Sequence, residues 1–132
     1  MVIPQRLVDQ IVEHARIGFP DEACGLIASS DGRAIRVYPI DNIDASPVSY
    51  RMDPKQQLQA MMEIDDNEWE LGAIFHSHTR TRAYPSQTDV QLAFYADTLY
   101  MIISLADERR PDLRAYRIVD AQIQEVPVQI EN

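Results

Sequence analysis

Cysteine is nearly absent: Cys24 is the single one in 132 residues. No internal disulfide can form, and a structural zinc site built on two or more cysteines is excluded. Only four glycines occur, so a glycine-rich loop for cradling phosphates is missing. No apolar run approaches the ~20 residues that a membrane helix needs. The opening MVIPQRLVDQIVEHAR carries polar residues every few positions, unlike a signal peptide. A cytoplasmic chain is the expectation. Bases are in the minority, 12 Lys and Arg against 21 Asp and Glu, for a net charge of −9. That mean field would repel a nucleic-acid backbone or an anionic membrane surface. There is no repeat and no low-complexity tract. With 45% hydrophobic and 25% charged residues, residues 1–132 read as one globular domain. A chain of this length buries roughly two-thirds of its unfolded surface, enough for a core without staples.

Hydrophobic spacing sets out the elements. Leu7, Ile11, Val12 and Ala15 recur at helical intervals behind Pro4, predicting a helix from about Pro4 to Arg16. Gly18-Phe19-Pro20 ends it. Ala23 to Ser29 reads as a buried strand, Asp31-Gly32 as a hairpin turn, and Ala34 to Ile40 as the partner strand. Asp41 to Pro47 reads as loop and Val48 to Met52 as a short strand. Asp53-Pro54 starts a second helix, with Asp as cap and Pro in the first turn, and with Leu58, Met61, Met62 and Ile64 as its apolar face. The acids from Glu63 to Glu70 suit an exposed helix end and loop. Leu71 to Phe75 is a strand, Ser86 to about Tyr95 a helix, and Leu99 to Leu105, Asp112 to Val119 and Ala121 to Val128 are three more strands. The order is that of a mixed α/β, or α+β, domain with helices packed on a central sheet.

What remains is chemistry. Residues 75–90, FHSHTRTRAYPSQTDV, place His76, His78, Ser86 and Asp89 in the pattern His-x-His-x7-Ser-x-x-Asp. Alternation along a strand turns both histidines to one face, where they can hold one ion. Asp89 arrives after a turn as a third donor. Three protein donors leave a fourth tetrahedral position open, the pattern of a catalytic zinc site. Each half has a plainer reading. Histidine pairs on strands are often only surface or core polarity, and Ser-x-x-Asp is also a capping box, Ser86 as N-cap and Asp89 at the third helical position. The readings are compatible, since a helix start would fix both side chains. Hydrolysis also needs a general base, and nothing between His76 and Asp89 supplies one. Glu13, Glu22, Glu63, Glu68 and Glu70 are the carboxylates to weigh. Glu22 differs from the rest because it enters an apolar strand, PDEACGLIA. There it is either a satisfied edge residue or a site residue.

A Glu before that strand, followed by His-x-His-x7-Ser-x-x-Asp, resembles the JAMM/MPN+ metalloprotease family over nearly the whole chain. The resemblance implies a single MPN domain and one zinc ion on His76, His78 and Asp89. It implies Glu22 as the base that activates water, and Ser86 as a donor to the developing oxyanion, a contribution typically worth about 100- to 1000-fold in rate. Many members carry Pro after His-Ser-His, whereas this chain has Thr79. Together with PDEACGLIA and YRIVD, this is most similar to the bacterial Mec+ branch. That branch removes a C-terminal cysteine from a small ubiquitin-like sulfur-carrier protein in cysteine biosynthesis. The resemblance therefore implies hydrolysis of an amide bond after a Gly-Gly tail, on a carrier-protein partner. The chain has little room for the insertions with which eukaryotic relatives grip ubiquitin. A flexible tail is expected to lie extended along a strand edge.

Other residues carry weaker signals. Cys24 reads as a small buried core residue, with a metal-side thiol as the sharper alternative. A Cys–His nucleophilic enzyme would leave Ser-x-x-Asp unexplained. His14 reads as a packing histidine, Trp69 as a core anchor, and Tyr84-Pro85 as a stiff approach to the helix. Arg80 and Arg82 are solvated loop cations or anchors for an acidic partner or substrate carboxylate. Iron or manganese could use two histidines and an aspartate, although zinc suits the set best. The competing functions are a catalytically silent MPN scaffold and a zinc hydrolase of small amides.

Overall fold

The computed structural model describes residues 1–132. A short strand, β1 (Val2–Pro4), leads directly into α1 (Gln5–Gly18). The predicted helical face is the one that buries: Leu7, Val8, Ile11 and Ala15 all point inward. β2 (Cys24–Ser30) and β3 (Arg33–Ile40) form the predicted hairpin. Its turn residues Asp31 and Gly32 both sit at positive φ, 51° and 76°, as a tight hairpin of this hand requires. α2 (Pro54–Asp66) starts where the sequence places it, with the Asp53 carboxylate accepting from the Lys55 and Gln56 N–H groups. β4 (Glu70–His78), α3 (Gln87–Gln91), β5 (Leu99–Ser104), β6 (Asp112–Val119), β7 (Gln122–Val126) and β8 (Gln129–Glu131) complete the chain.

All eight strands join one mixed sheet in the order β7-β6-β5-β4-β2-β3-β1-β8. β4 lies near its middle, antiparallel to β2 and parallel to β5. The sheet carries a core on each face. One face holds Ile3, Leu7, Ile11, Phe75, Met101 and Ile103, under α1. The other holds Leu26, Ile40, Ala60, Ile74, Ile102 and Tyr116, under α2. Alternation along β4 sends Ala73, Phe75 and Ser77 to the first face, and Ile74, His76 and His78 to the second. The sheet is tight at Gly25, where a Cβ would come within 2.4 Å of both the Phe75 ring and the Tyr38 carbonyl.

Four sequence expectations are corrected, and one strand, β1, went unread because it is too short to show a pattern. Val48 to Met52 forms no strand beyond a bridge between Asn42 and Met52, because its backbone is spent on local contacts over the site. The inward face of α2 is Ala60 and Ile64, while Leu58 and Met62 are 60% and 56% exposed; small Ala60 lets the helix lie close to the sheet. α3 stops at Gln91 rather than Tyr95, since the chain turns there and Tyr95 N–H donates to the Tyr100 hydroxyl at 2.9 Å. The expected last strand, Ala121 to Val128, is two. Pro127, with no N–H to give, ends β7, and β8 crosses to pair with β1 at the opposite end of the sheet.

Candidate metal centre and its cleft

The final two turns of β4's pleat deliver His76 and His78 side by side, and α3 delivers Asp89. Their donor atoms converge. Asp89 Oδ2 lies 3.1 Å from His76 Nε2 and 2.9 Å from His78 Nε2, and the two Nε2 atoms are 3.2 Å apart. A tetrahedral zinc held ~2.0–2.1 Å from each donor spaces them by roughly 3.3 Å. The three atoms therefore form a triangle that one such ion fits with a few tenths of an ångström of adjustment, and they are a cluster able to hold a metal.

Hydrogen bonding supports the same reading. His78 Nδ1 is 2.9 Å from the Arg82 carbonyl. A carbonyl only accepts, so Nδ1 carries the proton and Nε2 turns its lone pair to the triangle in the neutral ring. That lone pair then faces the Asp89 carboxylate, two acceptors that a cation or a proton between them would reconcile. Burial pushes the His78 imidazolium down, but hydrogen bonds to Asp89 and Arg82, with the Asp89 charge, more than offset it and raise it above its ordinary value. Burial likewise opposes the Asp89 charge, and hydrogen bonds with His76, His78 and the Ser86 N–H outweigh it, holding the carboxyl far below the usual range.

The capping box is real. Ser86 Oγ accepts from the Asp89 N–H at 3.0 Å, and the Ser86 N–H donates to Asp89 Oδ2 at 2.9 Å. The two readings of Ser-x-x-Asp are thus one arrangement: the cap aims the carboxylate at the histidines. Because the Ser86 oxygen accepts, its own hydroxyl proton stays free to donate. The loop from Thr79 to Pro85 is held by its carbonyls. Ser104 donates to Thr81 at 2.5 Å, His78 to Arg82, and Tyr116 to Ala83.

Glu22 lies just before β2, not on it. It is buried, and its Oε1 has no hydrogen-bond partner. Burial raises its carboxyl to about 7, against the pull of His78 and with the push of Asp89. Glu22, His78, Arg80 and Ser86 line one cleft of about 210 Å³. The structure thus brings together all five residues singled out from the sequence. Cys24 is not among them in the metal cluster. It is fully buried in the core on α2's side, its thiol donates to the Ile40 carbonyl at 3.5 Å, and burial pushes it up to about 12. His14 packs its ring edge toward Phe75 and bonds the Cys24 carbonyl at 2.9 Å. Trp69 is half-buried. Arg82 covers the Tyr84 ring at 4.6 Å, whereas Arg80 forms no ion pair.

Three participants went unseen in the sequence. Ser77, the middle of His-Ser-His, points to the opposite face and accepts the Ala23 N–H at 2.8 Å. Tyr50 stacks on the His76 ring, centroids 4.7 Å apart and planes at 24°. Asn42 donates to the Glu22 carbonyl at 2.9 Å. Only the polar middle residue of a buried strand was a usable signal, for Ser77.

A sheet-borne histidine pair with a carboxylate donor, beside a buried carboxylate, is the arrangement of a metallohydrolase, and comparison with known proteins gives the same class. Residues 4–119 match the family described as prokaryotic homologs of the JAB domain, and the chain belongs to that family, the JAMM-type metallopeptidases. The CysO-cysteine peptidase of Mycobacterium tuberculosis is 44% identical over 132 residues, spanning 98% of this chain and 90% of that protein. The desampylase of Haloferax volcanii is 33% identical over 103 residues, 73% of this chain and 74% of that protein. A Desulfitobacterium hafniense protein solved in solution superposes with a TM-score of 0.89 at 36% identity, covering 99% of this chain and 93% of that one. A JAB1/MPN domain protein of Archaeoglobus fulgidus shares the fold, with a TM-score of 0.66 at 19% identity and full coverage of both chains. The chain is a hydrolase of the metallopeptidase class, and no helix in it is long and apolar enough to cross a membrane.

Proposed function

We propose that residues 1–132 act as one JAMM domain that hydrolyses the amide bond after a C-terminal Gly-Gly of a small ubiquitin-like carrier protein in the cytoplasm, releasing cysteine or another amine. The observation that carries this reading is the convergence of His76 Nε2, His78 Nε2 and Asp89 Oδ2 on one point in the neighbourhood of a buried carboxylate with a free oxygen. The names of the Mycobacterium tuberculosis and Haloferax volcanii relatives support the carrier class.

In this reading one zinc ion is held by His76, His78 and Asp89, and when bound it supplies Lewis acidity that polarises the carbonyl and acidifies water. The chain's own residues do the rest. Glu22 takes a proton from the attacking water as its oxygen bonds to the carbonyl carbon. Ser86 donates its free hydroxyl proton in a hydrogen bond to the developing oxyanion. As the C–N bond breaks, Glu22 returns its proton to the leaving nitrogen, leaving a carboxyl terminus on the carrier and a free amine. Without metal, burial raises the Glu22 carboxyl to about 7; a cation on the three donors would lower it toward the carboxylate form that a base needs. Arg80, the one cation lining the cleft, is placed to meet an acidic partner or the carboxylate of the released amino acid. The extended tail would add to a strand edge. β3 offers one, because it meets β1 only at Arg33.

The experiment is cleavage of a purified carrier–cysteine adduct with a Gly-Gly junction, beside free dipeptides and beside an adduct with a bulky residue before the scissile bond. Selective cleavage of the Gly-Gly adduct, abolished in His78→Ala, supports the proposal. Equal cleavage of dipeptides would point to a small-amide hydrolase, equal cleavage of the bulky adduct would remove the requirement for Gly-Gly, and no cleavage by metal-loaded protein would point to a silent scaffold.

A further inference from the structure

We infer that Tyr50 is a positioning residue for His76: its ring, rather than a hydrogen bond, fixes the imidazole in its ligating orientation. This rests on the reading of His76 as a metal donor. Metal-bound imidazoles ordinarily donate their second ring N–H to a carboxylate, carbonyl or water, which sets the tautomer and the tilt of the ring. His78 does so, through Nδ1 and the Arg82 carbonyl. His76 does not. Its Nδ1 is buried and has no hydrogen-bond partner. Apart from the donor triangle itself, nothing polar resists rotation of that ring about its Cβ–Cγ bond, and a turn of the ring would carry Nε2 away from Asp89 and His78.

What resists it is packing. Tyr50 lies stacked on His76, centroids 4.7 Å apart at 24°, and His78 meets the ring at 5.0 Å and 63°. A stacked aromatic face opposes tilting while leaving the ring edge, and so Nε2, free. The backbone on both sides of Tyr50 is held as well. The residues on either side of it are both bound by one side chain: the Asn42 amide donates to the Ser49 carbonyl and accepts from the Arg51 N–H, each at 3.0 Å. The same amide donates to the Glu22 carbonyl at 2.9 Å and accepts from the Asp44 N–H at 3.0 Å. All four capacities of the amide are used, so its orientation is unique. One asparagine thereby registers the ring behind His76 against the backbone of Glu22, although the three residues are far apart in sequence.

The test is zinc affinity of the full chain, measured by competition with a chromophoric chelator, for wild type, Tyr50→Phe and Tyr50→Leu. Tyr50→Phe keeps the stacked ring and should match wild type within about twofold. Tyr50→Leu should bind about 10- to 100-fold more weakly, the usual cost of losing an outer support of a ligand, while its metal-free form keeps wild-type circular dichroism. Unchanged affinity in Tyr50→Leu overturns the inference, as does an equal loss in Tyr50→Phe, which would assign the effect to the hydroxyl. If Tyr50→Leu does not fold, the decision passes to the metal-free wild type, where the His76 ring protons must show the upfield ring-current shift of a stacked neighbour; ordinary shifts overturn the inference. Wild type failing to bind zinc at all would instead defeat the metal reading on which this one stands.

Discussion

Ser77 and Ala23 exchange two hydrogen bonds: Ser77 Oγ accepts the Ala23 N–H at 2.8 Å, and the Ser77 N–H donates to the Ala23 carbonyl at 2.9 Å. Ser77 stands between the two histidines and Ala23 directly follows Glu22. The pair therefore ties the segment bearing the carboxylate to the strand bearing the donors. Ser77→Ala leaves the buried Ala23 N–H without an acceptor, which costs about 1–3 kcal/mol. Because Ser77 faces away from the site, bound metal should be retained while turnover falls. Thermal unfolding, metal content and steady-state rates measured together check this; loss of metal would show that the serine acts on the donors instead.

Glu22→Gln should separate binding from chemistry. The amide keeps the shape of the side chain and cannot take a proton. Metal content should stay at the wild-type level while kcat falls by about 100- to 10,000-fold, the range for a lost general base. His78→Ala should lose the metal itself. Metal loss in Glu22→Gln would make Glu22 a ligand.

The metal-free protein should lose stability as pH rises. Glu22 is raised from an ordinary 4.5 to about 7, so its contribution is complete below about 4.5 and is lost as pH climbs through about 7. His78 is raised from 6.5, and its contribution is likewise lost on the alkaline side. Asp89 is lowered from 3.8, so its contribution is present above that value and lost only in acid. The chelated protein should therefore melt several degrees lower at pH 8.5 than at pH 5.5. Glu22→Gln should flatten part of that slope. A melting temperature independent of pH between these values would contradict the burial of the Glu22 carboxyl.

Arg80→Gln should act on substrate capture. For an adduct whose leaving amino acid has a free carboxylate, KM should rise about three- to tenfold with kcat nearly unchanged, a modest effect because the arginine is exposed. The same adduct ending in a carboxamide should bind wild type and variant alike. An equal change on both substrates would place Arg80 outside carboxylate recognition.

How much of this was legible depended on whether the signal was local. His76, His78, Ser86 and Asp89 share one short segment, and alternation on a strand plus a capping box suffice to aim them. Glu22 stood out because an acid entering an apolar strand needs a reason. Tyr50 and Asn42 were not legible. Asn42 lay in a stretch read as loop and Tyr50 in one read as a strand, but the backbone around Tyr50 bonds to the asparagine side chain and to the loop itself, and such contacts leave no period. The face of α2 was misread for a related reason. Leu58 and Met62 are more apolar than Ala60, yet close approach to the sheet favours the smallest side chain. β8 was merged with β7 because its partner, β1, lies at the other end of both sheet and chain.

The loop from Thr79 to Pro85 is gripped through the carbonyls of Thr81, Arg82 and Ala83, while the side chains of Arg80, Thr81 and Arg82 are exposed. Its path and its chemistry are therefore separable. Every residue type has a carbonyl, so substitutions at these three positions can redraw what the cleft mouth selects without moving Asp89 relative to the histidines. A library randomised there is a route to new leaving-group preferences on an unaltered catalytic frame.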